Sequence, residues 1–482
     1  VLLDADGRVR DLAGRLGVAA ASDDRPLTFT GIACYDGAIL DRVPAGRSEL
    51  VAVLARIIAA HPEAVRGLVH DGQWDDLGTL PRYLAAHRRA LGPGFRSVGR
   101  DARVPDDAVL DECVVLPGGW VPAGAALRRA VVGSGWAVSA DPEDDPALGL
   151  AATAGFTAAT ALEWIDGHGS DRRFVRLREA DRRAVMMTAP ADDADHDRTV
   201  RIASFLYDLG LGAPAVLAQD VRRRAIVFED LGDGTLATLA AAAPDRAAAL
   251  YDRVLDRLAD LQTFGTESRH RCPRAWDRAF DREHLRWETD YFRQRFLVEF
   301  AGVDPTEAAT LDDEFEALAT ACLAQPRSLV HRDFQSQNIL IKDGVVRLVD
   351  VQGMRWGPVA YDVMALLYDP YVDLPVTRRD SLLASFPERR AARGAGAIAP
   401  ADWQAMATAA GLQRSMQALG AFAFLGRVKR RPGFLDHVPA ARSLLGRLCD
   451  RAASSEASPF APPPMPRLRT ILDRIVVAGS ER

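Results

Sequence analysis

The chain has 482 residues, 48% hydrophobic and 26% charged, too long for one core and too apolar for a disordered chain, so two or three globular domains are expected. A formal charge of −6, from 60 basic and 66 acidic residues, gives no global basic field for nucleic acid or an anionic membrane, and small-molecule partners fit better. Lys342 and Lys429 are the only lysines; every other basic residue is arginine. Cys34, Cys113, Cys272, Cys322 and Cys449 are scattered with no CxxC pair, so neither a disulfide framework nor a zinc knuckle is indicated and a reducing cytoplasm is the expected location.

In chain order, residues 1–95 alternate short apolar runs with helical ones. Leu27 to Tyr35 reads as a strand, and residues 48–60, with Leu50, Val53, Leu54, Ile57 and Ile58, carry the spacing of an amphipathic helix. Across 96–138, Val98, Val104, Leu110, Val115, Val121, Leu127, Val132 and Val138 recur every five or six residues, which predicts a β-helix whose coils bury their apolar side chains against one another. Such a segment also offers a surface for self-association. An acidic, proline-bearing linker is expected at 139–150, and the uncharged run 147–162 is too poor in Leu, Ile and Val for a bilayer. Residues 151–450 hold a strand-rich stretch and then a long helical region; 451–482 read as a Pro-rich linker with a closing helix. No secretory signal is visible at the start.

The most informative segment runs from an apolar strand at Leu329-Val330 into a polar loop holding His331, Asp333 and Asn338. A hairpin turn at Asp343-Gly344 then leads along a second apolar strand to Asp350. Phosphoryl transfer from ATP needs a carboxylate to take the acceptor's proton and oxygen ligands to hold magnesium on the phosphates. Asp333 suits the first task, while Asn338 and Asp350 supply the hard oxygens for the second. His331 reads as a packed support for the loop.

These residues resemble the catalytic loop of the aminoglycoside phosphotransferase and choline kinase superfamily. A narrower resemblance extends over Gly169 to Phe174, Val185 to Pro190, Phe228 to Asp233, His331 to Ser336, Gln352-Gly353, Tyr361-Asp362, Asp369 to Val372 and Gln413-Arg414. Those blocks are similar to the anomeric kinases that phosphorylate N-acetylmuramate and N-acetylglucosamine in cell-wall recycling. The resemblance implies a two-lobed, protein-kinase-like α+β domain using ATP and Mg2+. It implies that Gly169 and Ser170 lie in a turn over the ATP phosphates, with Arg172 or Arg173 facing them, unless those arginines are merely solvated on a surface hairpin. Glu229, Asp230 and Leu231 would form the hinge meeting adenine. The strand that carries a phosphate-pairing lysine elsewhere in the superfamily reads Val185-Met186-Met187 here, so either an arginine or the loop amides replace that charge, or the domain is inactive; retention of Asp333, Asn338 and Asp350 favours activity.

For the acceptor, an aromatic face and amide or carboxylate partners are wanted, which makes Trp287, Glu288, Gln335 and Gln352 candidates, although the helix carrying the first two could equally pack its aromatics into the core. Arg355 would meet an acidic sugar or else a surface carboxylate, and Asp362 is expected to bond the catalytic loop. A phosphotransferase for an aminoglycoside or other amino alcohol is the second reading, drawing on Glu283, Glu288 and Asp290; a non-catalytic nucleotide-binding module is the third.

Trp74 to Leu84, with Thr28 to Ile32, resembles the latter half of a sugar-1-phosphate nucleotidyltransferase, to which a left-handed β-helix is often appended. The expected architecture is thus a partial α/β nucleotidyltransferase with a β-helix segment, followed by the kinase. Asp76 matches a metal-holding position of that family, yet the glycine-rich triphosphate loop is nowhere in the chain. No nucleotidyltransferase activity is expected from it, whether it is a piece of a longer bifunctional enzyme or a kinase with a degenerate remnant.

Overall fold

Two bodies are formed, one by residues 1–97 with 111–114, the other by 98–110 with 115–482. The computed structural model describes all residues except 47, 73, 123, 141–148, 157–160, 166–171, 191 and 476–482.

In the first body Leu2–Leu3 pairs antiparallel with Val9–Asp11 and with Arg25–Pro26. Asp4 fixes the intervening turn by accepting from the Asp6 and Arg8 amides at 3.0 and 2.8 Å. The helix Leu50–Ala60 forms and buries Val53, Leu54 and Ile58 of its expected face, with Ala55, while Leu50 at its first position is exposed and Ile57 is half-buried. The strand expected over 27–35 does not form. Pairing ends where the Leu27 amide donates to the Val1 carbonyl at 2.9 Å, and the following backbone finds no neighbouring strand among the described residues to complete a ladder.

In the second body the hexad region runs as short segments lying beside one another. The Gly99 amide donates to Val115 O, Arg103 N to Gly119 O and Val109 N to Ala125 O, each at 2.8 Å and 16 residues apart, and Arg103 forms a parallel bridge with Trp120. Val115, Val121, Leu127 and Val132 are buried there, whereas Val98 is exposed.

The hexad region ends in a hairpin, β1 (Ala130–Val132) and β2 (Trp136–Ser139), whose second strand pairs with β3 (Ala161–Ile165). From there β4 (Arg173–Glu179), β5 (Arg182–Thr188), β6 (Val216–Asp220) and β7 (Ala225–Glu229) continue an antiparallel sheet in the order β6-β7-β5-β4-β3-β2-β1. Its β3–β5 and β7 strands, with helix α1 (His196–Asp208), make the small lobe of a two-lobed α+β domain. The large lobe is mainly helical. Its strands among the described residues are β8 (Arg327–Val330), β9 (Ile339–Lys342), β10 (Val345–Leu348) and β11 (Arg355–Pro358), with β8 paired to β11 and β9 to β10. The β9–β10 turn has Asp343 at φ 50° and Gly344 at φ 75°, the paired positive angles a two-residue hairpin requires.

Helices α2 (Arg282–Phe292), α3 (Tyr361–Leu367) and α4 (Pro400–Ala423) converge behind the β8–β9 loop. Two glycines permit α4 to approach: a Cβ at Gly411 would meet Met364 Cε at 2.6 Å, and one at Gly420 would meet Tyr291 Cδ1 at 2.8 Å and Phe292 Cα at 3.1 Å. That closeness is what brings Gln413 and Arg414 to the loop. Among the described residues no helix is long and apolar enough to cross a membrane.

Candidate active site

Asp333 sits in the loop after β8, where the backbone is held from behind by one buried carboxylate. Asp362, at the start of α3, accepts from the His331 amide at 2.6 Å and the Arg332 amide at 2.9 Å. Burial pushes the Asp362 carboxyl up to about 7 even though both amides favour its charged form. The sequence reading of Asp362 as a loop support agrees with this contact. His331 is fully buried, its Nε2 lies 3.0 Å from Val349 O, and burial pushes its imidazole pKa down, so it acts as a neutral strut between the two arms of the loop. A second buried carboxylate, Asp369, accepts from the Ser336 amide at 2.7 Å.

Asn338 donates its Nδ2 to Asp333 O at 2.9 Å, leaving its side-chain oxygen as the uncommitted end. The Val349 amide donates to Asn338 O at 3.1 Å and so draws the end of β10 against the loop. One residue later Asp350 takes a left-handed conformation, φ 63°, that turns the chain into the short helical turn Val351–Gly353. Gln352 hydrogen-bonds the Asp350 carboxylate, and Arg198 of α1 anchors the same turn by donating to Gln352 O at 2.7 Å. The loop therefore brings together a carboxylate at Asp333, an amide oxygen at Asn338 and a second carboxylate at Asp350. This is a donor set of hard oxygens, suited to a phosphate-bound divalent cation.

Around Asp333 the field is positive. Arg332 Nη1 lies 3.8 Å from Oδ2 and Arg414 Nη2 lies 3.6 Å from Oδ1. Burial would raise the Asp333 carboxyl, but Arg332 and then Arg414 outweigh it and hold the group below its ordinary value. Arg414 also donates to Gln335 Oε1 at 3.0 Å. Arg332 has φ 79°, an angle unfavourable for a residue with a Cβ, at a cost on the order of 1–2 kcal/mol.

Of the acceptor candidates, Gln335 and Gln352 flank the loop. Glu288 is fully buried, with the Tyr361 hydroxyl donating to its two oxygens at 3.1 and 3.2 Å and Gln413 Nε2 donating at 3.1 Å; His284 Nε2 lies 3.4 Å and Arg332 Nε 3.9 Å from the carboxylate. Its carboxylate thus belongs to the interior, behind Arg332. Trp287, one residue before it on α2, points outward, 49% exposed, and stacks between His284 and Tyr291 at centroid distances of 5.7 and 5.3 Å. Arg355 is buried: Nε donates to Gly353 O at 3.0 Å, Nη1 lies 2.8 Å from His284 Nε2, and burial with the neighbouring Arg332 pushes its pKa down to about 10.

On the nucleotide side, Gly169 and Ser170 lie outside the described residues. Arg172 Nε pairs with Asp193 at 2.7 Å and Arg173 hydrogen-bonds Gly124 O. Met186 and Met187 are buried in β5, opposite Val175 and Phe174 of β4. At the end of β7, Glu229 binds Arg347 at 2.5 Å and Lys342 at 3.0 Å; burial opposes ionisation, yet those two cations pull its pKa down to about 2. Lys342 Nζ also donates to Asp230 O at 2.8 Å, and Asp230 itself is bound by Arg176 Nε at 2.9 Å. The side chains of Glu229 and Asp230 are therefore held by cations of both lobes, and Leu231, expected to share a hinge with them, is buried.

The sequence reading singled out neither Arg414 as a neighbour of Asp333 nor the Tyr361–Glu288–Gln413 node. The signal was present only as polar residues, Gln413 and Arg414, inside an otherwise apolar helix, which mark a buried polar contact without saying to what.

Residues 165–409, about half of the chain, match the phosphotransferase enzyme family. An N-acetylmuramate/N-acetylglucosamine kinase of Pseudomonas aeruginosa is 30% identical over 274 residues, covering 56% of this chain and 78% of the relative. A kinase of the same name from Pseudomonas putida is 28% identical over 290 residues, 59% of this chain and 82% of the relative. Among solved structures, a choline/ethanolamine kinase family protein from Mesorhizobium loti aligns over 68% of this chain and 96% of that one, with 13% identity and a TM-score of 0.45. The Asp333 loop lies within the matched stretch, which spans both lobes, and leads to one conclusion: the chain belongs to the phosphotransferase enzyme family and is an enzyme that transfers a phosphoryl group to a hydroxyl acceptor.

Proposed function

We propose that this enzyme phosphorylates the anomeric hydroxyl of an N-acetylated amino sugar of the N-acetylmuramate or N-acetylglucosamine type, using ATP and giving the sugar 1-phosphate. The observation that carries the reading is the Asp333 loop, clasped by Asp362 and joined to Asn338, together with relatives that bear those sugars in their names. Asp333 orients the acceptor hydroxyl and takes its proton. Asn338 and Asp350 would hold Mg2+, which neutralises phosphate charge. The hinge main chain at Glu229, Asp230 and Leu231 would meet adenine, with Gly169 and Ser170 over the phosphates. Trp287, half-exposed but stacked between His284 and Tyr291, offers an aromatic edge beside a sugar ring, and Gln335 and Gln352 offer amide hydrogen bonds.

A cationic aminoglycoside acceptor has weaker support. Glu288 is spent on interior partners, Asp290 pairs with Arg293 at 2.6 Å, and two arginines, Arg332 and Arg414, stand within 4 Å of Asp333. For the N-terminal part, the latter half of a sugar-1-phosphate nucleotidyltransferase with a left-handed β-helix remains our reading, supported by the parallel Arg103–Trp120 bridge and the 16-residue spacing of its backbone bonds. Self-association through that segment and a cytoplasmic location belong to the same proposal. A nucleotidyltransferase consumes a sugar 1-phosphate, so joining the two activities on one chain has a chemical logic.

Asp333→Asn tests the base. Turnover should fall at least 100-fold while ATP binding and the melting temperature stay put. Retained turnover would sink the assignment.

A further inference from the structure

The positive charge missing from the small lobe has a counterpart in the large one. Residues 166–171 contain no Lys or Arg, and β5 presents Met186 and Met187. The cations described around them are committed: Arg172 to Asp193, Arg173 to Gly124 O, Arg176 to Asp230, and Lys342 with Arg347 to Glu229. Two guanidiniums stand apart from this pattern. Arg332 and Arg414 straddle the Asp333 carboxylate at 3.8 and 3.6 Å, beyond hydrogen-bond reach, so each charge is close without being consumed.

Among the described residues the Arg332 side chain finds no hydrogen-bond acceptor, although its Nε is buried. It is nonetheless kept at φ 79° and backed by the buried Glu288. A strained residue whose donors are aimed at no protein acceptor marks a place where a ligand is expected. Arg414, 9% exposed at its side chain, is brought there by the close approach of α4 and donates to Gln335 and Gln417.

Resting on the reading of Asp333 as the base for transfer from ATP, we infer that Arg332 and Arg414 together bind the transferred phosphoryl group, supplying from the acceptor side the charge that a small-lobe lysine supplies elsewhere. In the step concerned the acceptor oxygen gives its proton to Asp333 and forms the new O–P bond, while the bond from the γ-phosphorus to the bridging oxygen breaks and its electrons leave on ADP. The acceptor oxygen lies against the Asp333 carboxylate, and the phosphorus becomes bonded to that same oxygen. Guanidiniums within 4 Å of the carboxylate therefore lie beside the equatorial phosphoryl oxygens, where charge gathers in the transition state.

Arg332→Gly is the informative substitution, because glycine relieves the positive φ while removing the charge. Arg414→Lys keeps the charge without the planar fork, and Arg414→Met removes it. Arg332→Gly and Arg414→Met should each lose about 100-fold in kcat with KM for ATP and acceptor within roughly threefold, and added guanidinium chloride should restore at least tenfold. Both should bind ADP with aluminium fluoride and Mg2+, a mimic of the planar phosphoryl, at least tenfold more weakly while binding a non-hydrolysable ATP analogue as before; Arg414→Lys should fall between wild type and Arg414→Met. A rise in acceptor KM at constant kcat would instead make the arginines acceptor ligands and overturn the inference. So would equal affinity of wild type and variants for the aluminium fluoride complex. That binding measurement needs no sugar, so failure of the wild type to phosphorylate any sugar would count against the sugar assignment alone.

Discussion

Glu288→Gln isolates the buried node that supports Arg332. The wild-type carboxylate has no exposed surface and is met by the Tyr361 hydroxyl at 3.1 Å, Gln413 Nε2 at 3.1 Å, His284 Nε2 at 3.4 Å and Arg332 Nε at 3.9 Å. The amide keeps the shape and one acceptor oxygen, but it turns the other end into a donor facing donors and removes the charge opposite Arg332. Losing one acceptor in a dry site costs about 1–3 kcal/mol, and breaking a buried ion pair outright costs about 3–5 kcal/mol. The arginine contact is long and the hydroxyl bond survives, so a loss of about 2–4 kcal/mol is expected, or roughly 3–6 °C in melting temperature for a domain of this size. The acid side of the stability profile should change too. Burial would raise the Glu288 carboxyl, but His284 and then Arg332 hold it below its ordinary value, so the unfolded chain binds more protons than the native one. That contribution is complete above an unfolded pKa of about 4.3 and is lost as pH falls below it. Chemical denaturation at several pH values should show a shallower acid limb in the variant, and kcat should drop about tenfold as Arg332 loses its backing. A variant with unchanged melting temperature, acid limb and kcat would refute the role given to the node.

Asp362→Asn can accept from only one of the His331 and Arg332 amides and should cost about 1–3 kcal/mol by equilibrium unfolding. Because burial raises the native Asp362 pKa to about 7, the native state binds the extra proton; this residue's contribution to stability declines as pH rises from about 4 to 7, a slope the variant should lack. Glu229→Gln should act in the opposite sense: with a native pKa of about 2, its contribution of up to about 3 kcal/mol is present above pH 4.5 and is lost as pH falls, so acid titration of the variant should lose that part of the limb. Gly420→Ala would place a methyl 2.8 Å from Tyr291 Cδ1 and 3.1 Å from Phe292 Cα, pushing α4 from α2 at a cost of about 1–3 kcal/mol, read as a lower denaturant midpoint.

What could be read beforehand follows how contiguous each feature is in the chain. Asp333, Asn338, the Asp343-Gly344 turn and Asp350 fall within eighteen residues on two strands and their hairpin, so local patterning places them without knowledge of the rest. Arg414 is 81 residues from Asp333, and nothing local in α4 says which loop it will face; only the glycine-permitted packing against α2 and α3 does. Glu288 illustrates the reverse error of scale: its neighbour Trp287 is exposed, and a single residue, about 100° around the helix, separates an outward aromatic from a carboxylate with no solvent access. The expected strand at 27–35 has suitable residues but, among the described residues, no strand pairs with it beyond the Leu27–Val1 bond, and backbone hydrogen bonds, which decide strand formation, are not written in side-chain propensity.

The central claim is that this enzyme makes sugar 1-phosphates. Its most direct test is to incubate the protein with ATP, Mg2+ and, in turn, N-acetylmuramate, N-acetylglucosamine, other hexoses and aminoglycosides, and to locate the new phosphate by 31P and 1H NMR. The account predicts phosphorus coupling to the anomeric proton of an N-acetylated amino sugar and no product from Asp333→Asn. Phosphate on any other hydroxyl, or transfer to an aminoglycoside alone, would contradict it.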